Sequence, residues 1–76
     1  MFNMYVVAVL TRDRKEQRDW IKTAILMQDW YTSEISALAT MDQYNYDIIE
    51  KLSKERYEKG DFHLYGVFRF EFLGAA

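Results

Sequence analysis

Cysteine and proline are absent from this 76-residue chain, and histidine occurs once. Disulfide bonds and thiolate metal sites are therefore excluded, as are metal sites that need several histidines. The length predicts one domain, residues 1–76, and a domain this small has marginal stability. Half of the residues are hydrophobic and 17% are aromatic. A dense aromatic core and self-association are thus the remaining means of stabilisation.

Glycine is scarce and dispersed, at Gly60, Gly66 and Gly74. A phosphate-binding loop needs clustered glycines, a calcium-binding EF-hand loop needs a central glycine, and a nucleophilic serine elbow needs flanking glycines. None of these patterns occurs in the sequence. The one histidine, His63, has only Asp61 near it as a group that could orient it for acid–base catalysis. We therefore predict a protein that is not an enzyme and has no catalytic residues, cofactor or metal.

Long apolar runs are also absent, since none reaches the roughly 20 residues that span a bilayer. We therefore expect no membrane association. The apolar segment Met1–Leu10 lacks the basic start and the small-residue cleavage site of a signal peptide, which favours a strand. With no cysteine to indicate the redox compartment, a cytoplasmic location is the default expectation.

Two segments have the patterns of strands. Phe2–Leu10 is rich in valine and aromatic residues, which predicts a strand that is buried on most of both sides. Phe62–Phe72 alternates large apolar residues with more polar ones, which predicts a long strand with one strongly aromatic face. Residues 74–76 are predicted to form a short tail.

Two segments have the patterns of helices. From Arg14 to about Gln28 the apolar residues share one helical face, and Asp13 with Glu16 makes a capping box. Asp42–Lys59 repeats apolar residues at helical spacing and is followed by Gly60 as a C-terminal cap. Its i,i+4 charge pairs have the acid first, which is the favourable order: Asp47–Lys51, Glu50–Lys54 and Glu55–Lys59.

Residues 29–40 allow two interpretations. Ser33 could cap a helix that runs through Leu38, or residues 31–39 could form a strand before a helix capped by Thr40. Helix propensity favours the first. We therefore predict an α+β fold, a small two-layer strand–helix–helix–strand domain with an antiparallel sheet and both helices on one face. The alternative order is strand–helix–strand–helix–strand.

The stretch from Asp29 to Glu50 contains five acidic residues and no lysine or arginine. Tyrosine and tryptophan lie among these acids, and such aromatics are enriched at interface centres, while an acidic surround selects a basic partner. The competing interpretation is that the aromatics are core and the acids only solubilise. The predicted partner-binding residues are Asp42, Tyr46, Glu50, Tyr57, Trp30 and Tyr31.

Three functions follow from these patterns. The first is a non-catalytic protein-binding module whose acidic–aromatic face meets a protein with a basic surface. The second is a structural homo-oligomer, most simply a dimer, because a two-stranded sheet leaves apolar surface and edges open. The third is a nucleic-acid-associated protein that uses the basic segment Arg12–Lys22. Interleaved acids and a net charge of −2 make the third the weakest.

In size, acidity, aromatic content and lack of catalytic motifs, the chain resembles the small accessory proteins of bacteriophages. Many of those proteins block a host or defence protein by occupying its surface. The resemblance is one of type and involves no particular residues. It implies that the binding module is a viral inhibitor.

Overall fold

The computed structural model describes residues 2–73 and places six elements in that range. They are strand β1 (Phe2–Val9), helix α1 (Arg14–Leu26), strand β2 (Trp30–Tyr31), helix α2 (Glu34–Glu50), helix α3 (Lys54–Lys59) and strand β3 (Tyr65–Phe72). The predicted α+β class is confirmed. The order is that of the alternative prediction with its second helix divided in two, because residues 30–31 form a short third strand. The predicted tail, residues 74–76, lies outside the described residues.

The strands form one antiparallel sheet in the order β2-β1-β3. β1 pairs with β3 along its whole length, and Val6 lies opposite Phe68 in this ladder. β2 covers only the middle of the other edge of β1, where Val6 lies opposite Trp30. Because directly opposite residues share a face, the even-numbered residues of β1 and β3 point to one side and the odd-numbered residues to the other.

Helices α1 and α2 lie on opposite faces of the sheet rather than together on one face. The even-numbered face carries Val6, which packs with Ala8 and with Ala24 of α1 in the core. The odd-numbered face carries Tyr65, whose ring centroid lies 4.9 Å from that of Tyr44 on α2. β1 is apolar at nearly every position, so both of its faces need cover. One helix on each face provides that cover. Within residues 2–73, every helix falls short of the length and apolar character needed to cross a lipid bilayer.

Short polar side chains begin the two long helices. Asp13 accepts hydrogen bonds from the backbone N–H groups of Lys15 and Glu16 at the start of α1, which confirms Asp13 as the N-cap. Among the described residues, the reciprocal bond of a capping box, from the N–H of Asp13 to the Glu16 side chain, is absent. Ser33 accepts the backbone N–H of Ser36 at the start of α2. An N-cap oxygen satisfies a backbone donor that has no partner within the helix. α2 therefore begins where the favoured interpretation of this segment placed it.

The long helix predicted over Asp42–Lys59 is interrupted by a short break. α2 ends at Glu50, and Ser53 caps α3 by accepting the backbone N–H of Arg56 at 3.2 Å. A serine hydroxyl that bonds to nearby backbone competes with continuation of a helix. Ser53 therefore starts a new helix where apolar spacing predicted an unbroken one. The predicted i,i+4 pair of Glu50 with Lys54 consequently spans the break.

α1 and α3 end in the same type of turn, which contains one residue with left-handed backbone angles. After α3 this residue is the predicted Gly60, at φ 67°, and after α1 it is Gln28, at φ 61°. In each turn the next N–H bonds to the carbonyl five positions back, at 2.7 Å from Asp29 and 2.9 Å from Asp61. Glycine adopts these angles without strain, whereas a residue with a Cβ does not. The turn after α1 is therefore strained and the turn after α3 is not.

Two side-chain amides tie the helices to the sheet. Gln17 of α1 donates to the carbonyl of Val9 at 2.8 Å and accepts the N–H of Thr11 at 2.7 Å. Asn45 of α2 donates to the carbonyl of Tyr65 at 3.1 Å and accepts the N–H of the same residue at 2.7 Å. Each amide thus satisfies one backbone donor and one backbone acceptor that the strand ladders leave unpaired.

Candidate functional site

The solvent side of α2 carries an apolar stripe. Ile35, Leu38, Tyr46 and Ile49 lie on it together with Asp42, at separations of three or four residues, so they share one side of the helix. The exposed fraction is 81% for Ile35, 39% for Leu38, 63% for Tyr46 and 52% for Ile49. Asp42 is also exposed. At 1.5 Å per residue the stripe is about 21 Å long. These residues are the outer face of α2.

The opposite side of α2 covers the sheet. Ala37 is fully buried, and Met41, Tyr44 and Ile48 follow it at helical spacing and are half-buried. A helix that covers a sheet with one side normally presents polar residues on the other. α2 is instead apolar on both sides. Packing against the sheet therefore does not account for the apolar residues of its outer face.

The charge around the outer face has one sign. Four exposed acids lie on α2: Glu34, Asp42, Asp47 and Glu50. Lysine and arginine are absent between Asp29 and Glu50. Within the described residues, the ion pairs join α3 residues to one another and to the turn after α3, so they involve none of these acids. The charged residues of α2 itself are therefore all acidic, and the predicted residues Asp42, Tyr46 and Glu50 lie together at the outer face.

The other predicted binding residues lie elsewhere. Trp30 is opposite Val6 and so lies on the α1 side of the sheet, whereas its half-buried neighbour Tyr31 lies on the α2 side. Tyr57 belongs to α3 and is 62% exposed, and its ring stacks on that of Phe62 with centroids 5.8 Å apart. Tyr57 and Tyr46, which were predicted to lie on one helix over Asp42–Lys59, therefore lie on two separate helices.

Ile35 and Leu38 were not among the predicted binding residues. The signal that would have identified them is the helical pattern counted from Ser33. In that pattern Ile35 and Leu38 fall on the side of Tyr46, and Ala37 falls opposite them. Counting this pattern requires the residue at which α2 begins. The sequence allowed two starting residues for this helix, Ser33 or Thr40 as its cap.

Beneath the outer face, Tyr44 links α2 to the chain before β2. Its hydroxyl donates to the carboxylate of Asp29 at 3.2 Å. Burial raises the pKa of Tyr44 above its ordinary value, and the charge and hydrogen bond of Asp29 raise it further. Asp29 is therefore engaged within the fold, and the acids left to meet a partner are those of α2.

A groove of about 400 Å³ lies between the end of α2, α3 and the chain before β3. Nδ1 of His63 lies 3.2 Å from the carbonyl oxygen of Leu10, and because a carbonyl only accepts, this nitrogen donates. Within residues 2–73, no group of three histidine or acidic side chains is placed to hold a metal. The groove is lined by Asp47, Ile48, Lys51, Leu52, Arg56, Phe62 and His63.

The basic residues of the segment Arg12–Lys22 are exposed, and so are the acids between them. The bases are Arg12, Arg14, Lys15, Arg18 and Lys22, and the acids are Asp13, Glu16 and Asp19. This surface therefore carries mixed charge, unlike the single-sign surface of α2.

No protein-family model, curated protein or solved structure matches the chain. The outer face of α2 combines exposed apolar residues at helical spacing with acids only, and packing within the fold does not explain it.

Proposed function

We propose that this protein is a non-catalytic protein-binding module that inserts the outer face of α2 into an apolar groove of a partner protein. Lysine and arginine rim that groove. The observation that carries the proposal is the exposed apolar stripe on a helix whose other side already covers the sheet. Apolar anchors separated by three or four residues are the usual way in which a helix docks into a groove. We expect such a module to act in the cytoplasm.

Tyr46 is the anchor that we propose for this contact. Its ring offers a large area with few rotors, and buried aromatic side chains near an interface centre contribute most to affinity. Asp42 lies one helical turn before it and Glu50 one turn after it. These carboxylates steer the encounter with a basic partner, whereas the apolar residues hold the complex once it has formed.

The mode of action that this contact supports is competition. A helix face that fills a partner's groove excludes whatever ligand the groove otherwise binds. An inhibitor of a host or defence protein, of the kind that small bacteriophage proteins provide, would act in this way. Neither the docking residues nor the proposed mode of action requires a catalytic group, a cofactor or a metal.

The test is affinity capture from a lysate of the native host, with the bound proteins identified by mass spectrometry. Three baits are compared: the unaltered protein, Tyr46→Ala and Leu26→Ala. Leu26 is the matched control because it is an apolar residue of α1 with 74% of its surface exposed, on the other side of the sheet. We expect a protein that the unaltered chain and Leu26→Ala retain, and that Tyr46→Ala loses.

Charge reversal at two salt concentrations then tests whether the acids of α2 steer association with the partner. Asp42→Lys and Glu50→Lys should slow association with the captured protein, and the effect should shrink at high salt. If the unaltered chain, Tyr46→Ala and Leu26→Ala retained the same proteins in equal amounts, the outer face of α2 would not be the binding surface.

We also propose that the protein forms a homodimer, which is a second function of its surface. The observation that favours it is the outer edge of β3, which no strand within residues 2–73 covers. An uncovered edge presents backbone donors and acceptors that can pair with another strand. Light scattering at micromolar concentration should give twice the chain mass, and a clean monomer mass would remove this proposal.

A further inference from the structure

Half of the backbone polar groups of β3 point away from the sheet. The hydrogen bond from the N–H of Leu10 to the carbonyl of Leu64, at 2.7 Å, shows that β1 bonds to the even-numbered residues of this chain segment. In an antiparallel ladder the alternate residues then direct their N–H and C=O groups outward. Along β3 the outward groups belong to Tyr65, Val67, Arg69 and Glu71.

The outward groups of β3 are occupied at one end and open along the rest. Asn45 holds both backbone groups of Tyr65. Among the described residues, no side chain or strand bonds to the outward groups of Val67, Arg69 or Glu71. The chain from residue 67 to the end of the sheet is therefore a free edge of defined length.

We propose that this edge pairs antiparallel with the same edge of a second copy, in a register whose twofold axis passes beside Phe70. The inference rests on the proposed homodimer and specifies its surface and register. The two sheets join into one continuous sheet, in which β3 of each copy lies at the centre. Each outward-facing residue then exchanges a pair of N–H···O=C hydrogen bonds with the second copy.

Charge selects this register. Arg69 and Glu71 are exposed on one face of β3, and neither belongs to an ion pair within residues 2–73. An axis at Phe70 places Arg69 of each copy opposite Glu71 of the other, so opposite charges meet on both sides of the axis. An axis at Arg69 or at Glu71 would place like charges opposite each other.

Registers centred on Val67 or Phe68 are blocked by a contact within the chain, and one centred on Phe72 would pair only residues 71–73. An axis at Phe68 would place Glu71 opposite Tyr65, whose outward groups Asn45 already holds. The register centred on Phe70 uses residues 67–73 instead, which is the free part of the edge.

The other face of the same ladder is aromatic. In this register Phe70 lies opposite its own copy, and Phe68 lies opposite Phe72. These are the close pairs of an antiparallel ladder, with Cα atoms about 4.5 Å apart, so their rings meet. Phe72 is exposed and stacks on Phe2 with ring centroids 5.0 Å apart. Pairing therefore also removes apolar surface from water at this end of the sheet.

α2 leaves room for the second copy. Its hydrogen bonds to the edge are at Tyr65, about 17 Å along the strand from Phe70 at 3.4 Å per residue. The twofold axis therefore places the two α2 helices at opposite ends of the new ladder. The outer face of α2 points away from the sheet and takes no part in this contact.

A charge exchange tests the register. Analytical ultracentrifugation gives the dimer dissociation constant of the unaltered chain, of Arg69→Glu, of Glu71→Arg and of the double variant. Each single variant places like charges opposite each other twice, so we expect its dissociation constant to rise about tenfold or more. The double variant restores opposite charges and should return to within about threefold of the unaltered chain. Both residues are exposed, and the melting temperature of each variant checks the fold.

Cross-linking gives a second readout, since the chain has no cysteine of its own. Arg69→Cys mixed with Glu71→Cys should form a disulfide on oxidation, because the two positions face each other and the mixed pair keeps one Arg69–Glu71 contact. Either variant alone should cross-link much less. A monomer mass for the unaltered chain would overturn both the dimer and the register. A dimer unaffected by the single reversals, or equal cross-linking of all samples, would overturn the register alone.

Discussion

The side-chain amide of Asn45 hydrogen-bonds to both backbone polar groups of Tyr65. The N–H of Tyr65 donates to Oδ1 at 2.7 Å, and Nδ2 donates to the carbonyl of Tyr65 at 3.1 Å. An amide in this position bonds to the strand as a neighbouring strand would. It therefore connects α2 to the edge of the sheet and ends the stretch of β3 that is open to pairing.

Asn45→Ala should lower the free energy of unfolding by about 2 kcal/mol, because two hydrogen bonds to partly buried backbone are lost. The amide proton of Tyr65 should also exchange faster with solvent, which NMR measures residue by residue. Asn3→Ala is the control, since Asn3 is exposed and should change stability by less than about 0.5 kcal/mol. Unchanged exchange at Tyr65 would show that the contact does not form in solution.

Capping residues made the start of α1 and the end of α3 predictable. Asp13 and Gly60 have the expected roles because their side-chain chemistry, or the lack of a side chain, acts locally. Ser53 was missed as a cap because its neighbours are good helix formers and the apolar spacing runs through it. The two residues of β2 carry too little pattern to predict a strand, since pairing with β1 rather than propensity places them there.

Tyr44→Phe should lower stability at neutral pH by about 1 kcal/mol, the usual contribution of such a hydrogen bond. The pKa of Tyr44 is raised in the folded protein, so the folded state binds this proton more tightly than the unfolded state does. The stabilisation is therefore complete below the ordinary tyrosine pKa of about 10 and is lost as pH rises through the raised value.

Urea unfolding of the unaltered chain and of Tyr44→Phe at pH 7 and at increasingly alkaline pH measures this difference. The two chains should converge in stability as the pH rises through the raised pKa. A constant difference across that range would contradict the proposed role of Asp29 as the acceptor.

Gln28 and Gly60 both have left-handed backbone angles after a helix, and substituting them should change the free energy of unfolding in opposite directions. Gln28→Gly should raise the free energy of unfolding by about 0.5–1 kcal/mol, because relief of strain exceeds the added freedom of the unfolded chain. Gly60→Ala should lower it by about 1 kcal/mol. Thermal unfolding measures both, and a change of the same sign in the two variants would contradict the described turns.

The proposed binding surface was only partly predictable. Asp42, Tyr46 and Glu50 were identified from the acidic stretch and its aromatics, which needs no tertiary structure. Ile35 could not be identified without the start of α2, because isoleucine in a helix that covers a sheet is usually core. Tyr57 is separated from Tyr46 by the break between α2 and α3. The sequence did not predict this break, because the apolar spacing continues through it.

In the proposed function, Tyr46 belongs to a binding surface and not to the core. The decisive measurement is the melting temperature and the partner affinity of one Tyr46→Ala sample, with the captured protein as partner. Alanine is the better helix former, so we expect the melting temperature to stay the same or rise slightly. The dissociation constant should rise about 30-fold, or about 2 kcal/mol. A fall of several kcal/mol in stability would make Tyr46 a core residue, and unchanged affinity in a folded variant would show that Tyr46 is not the anchor.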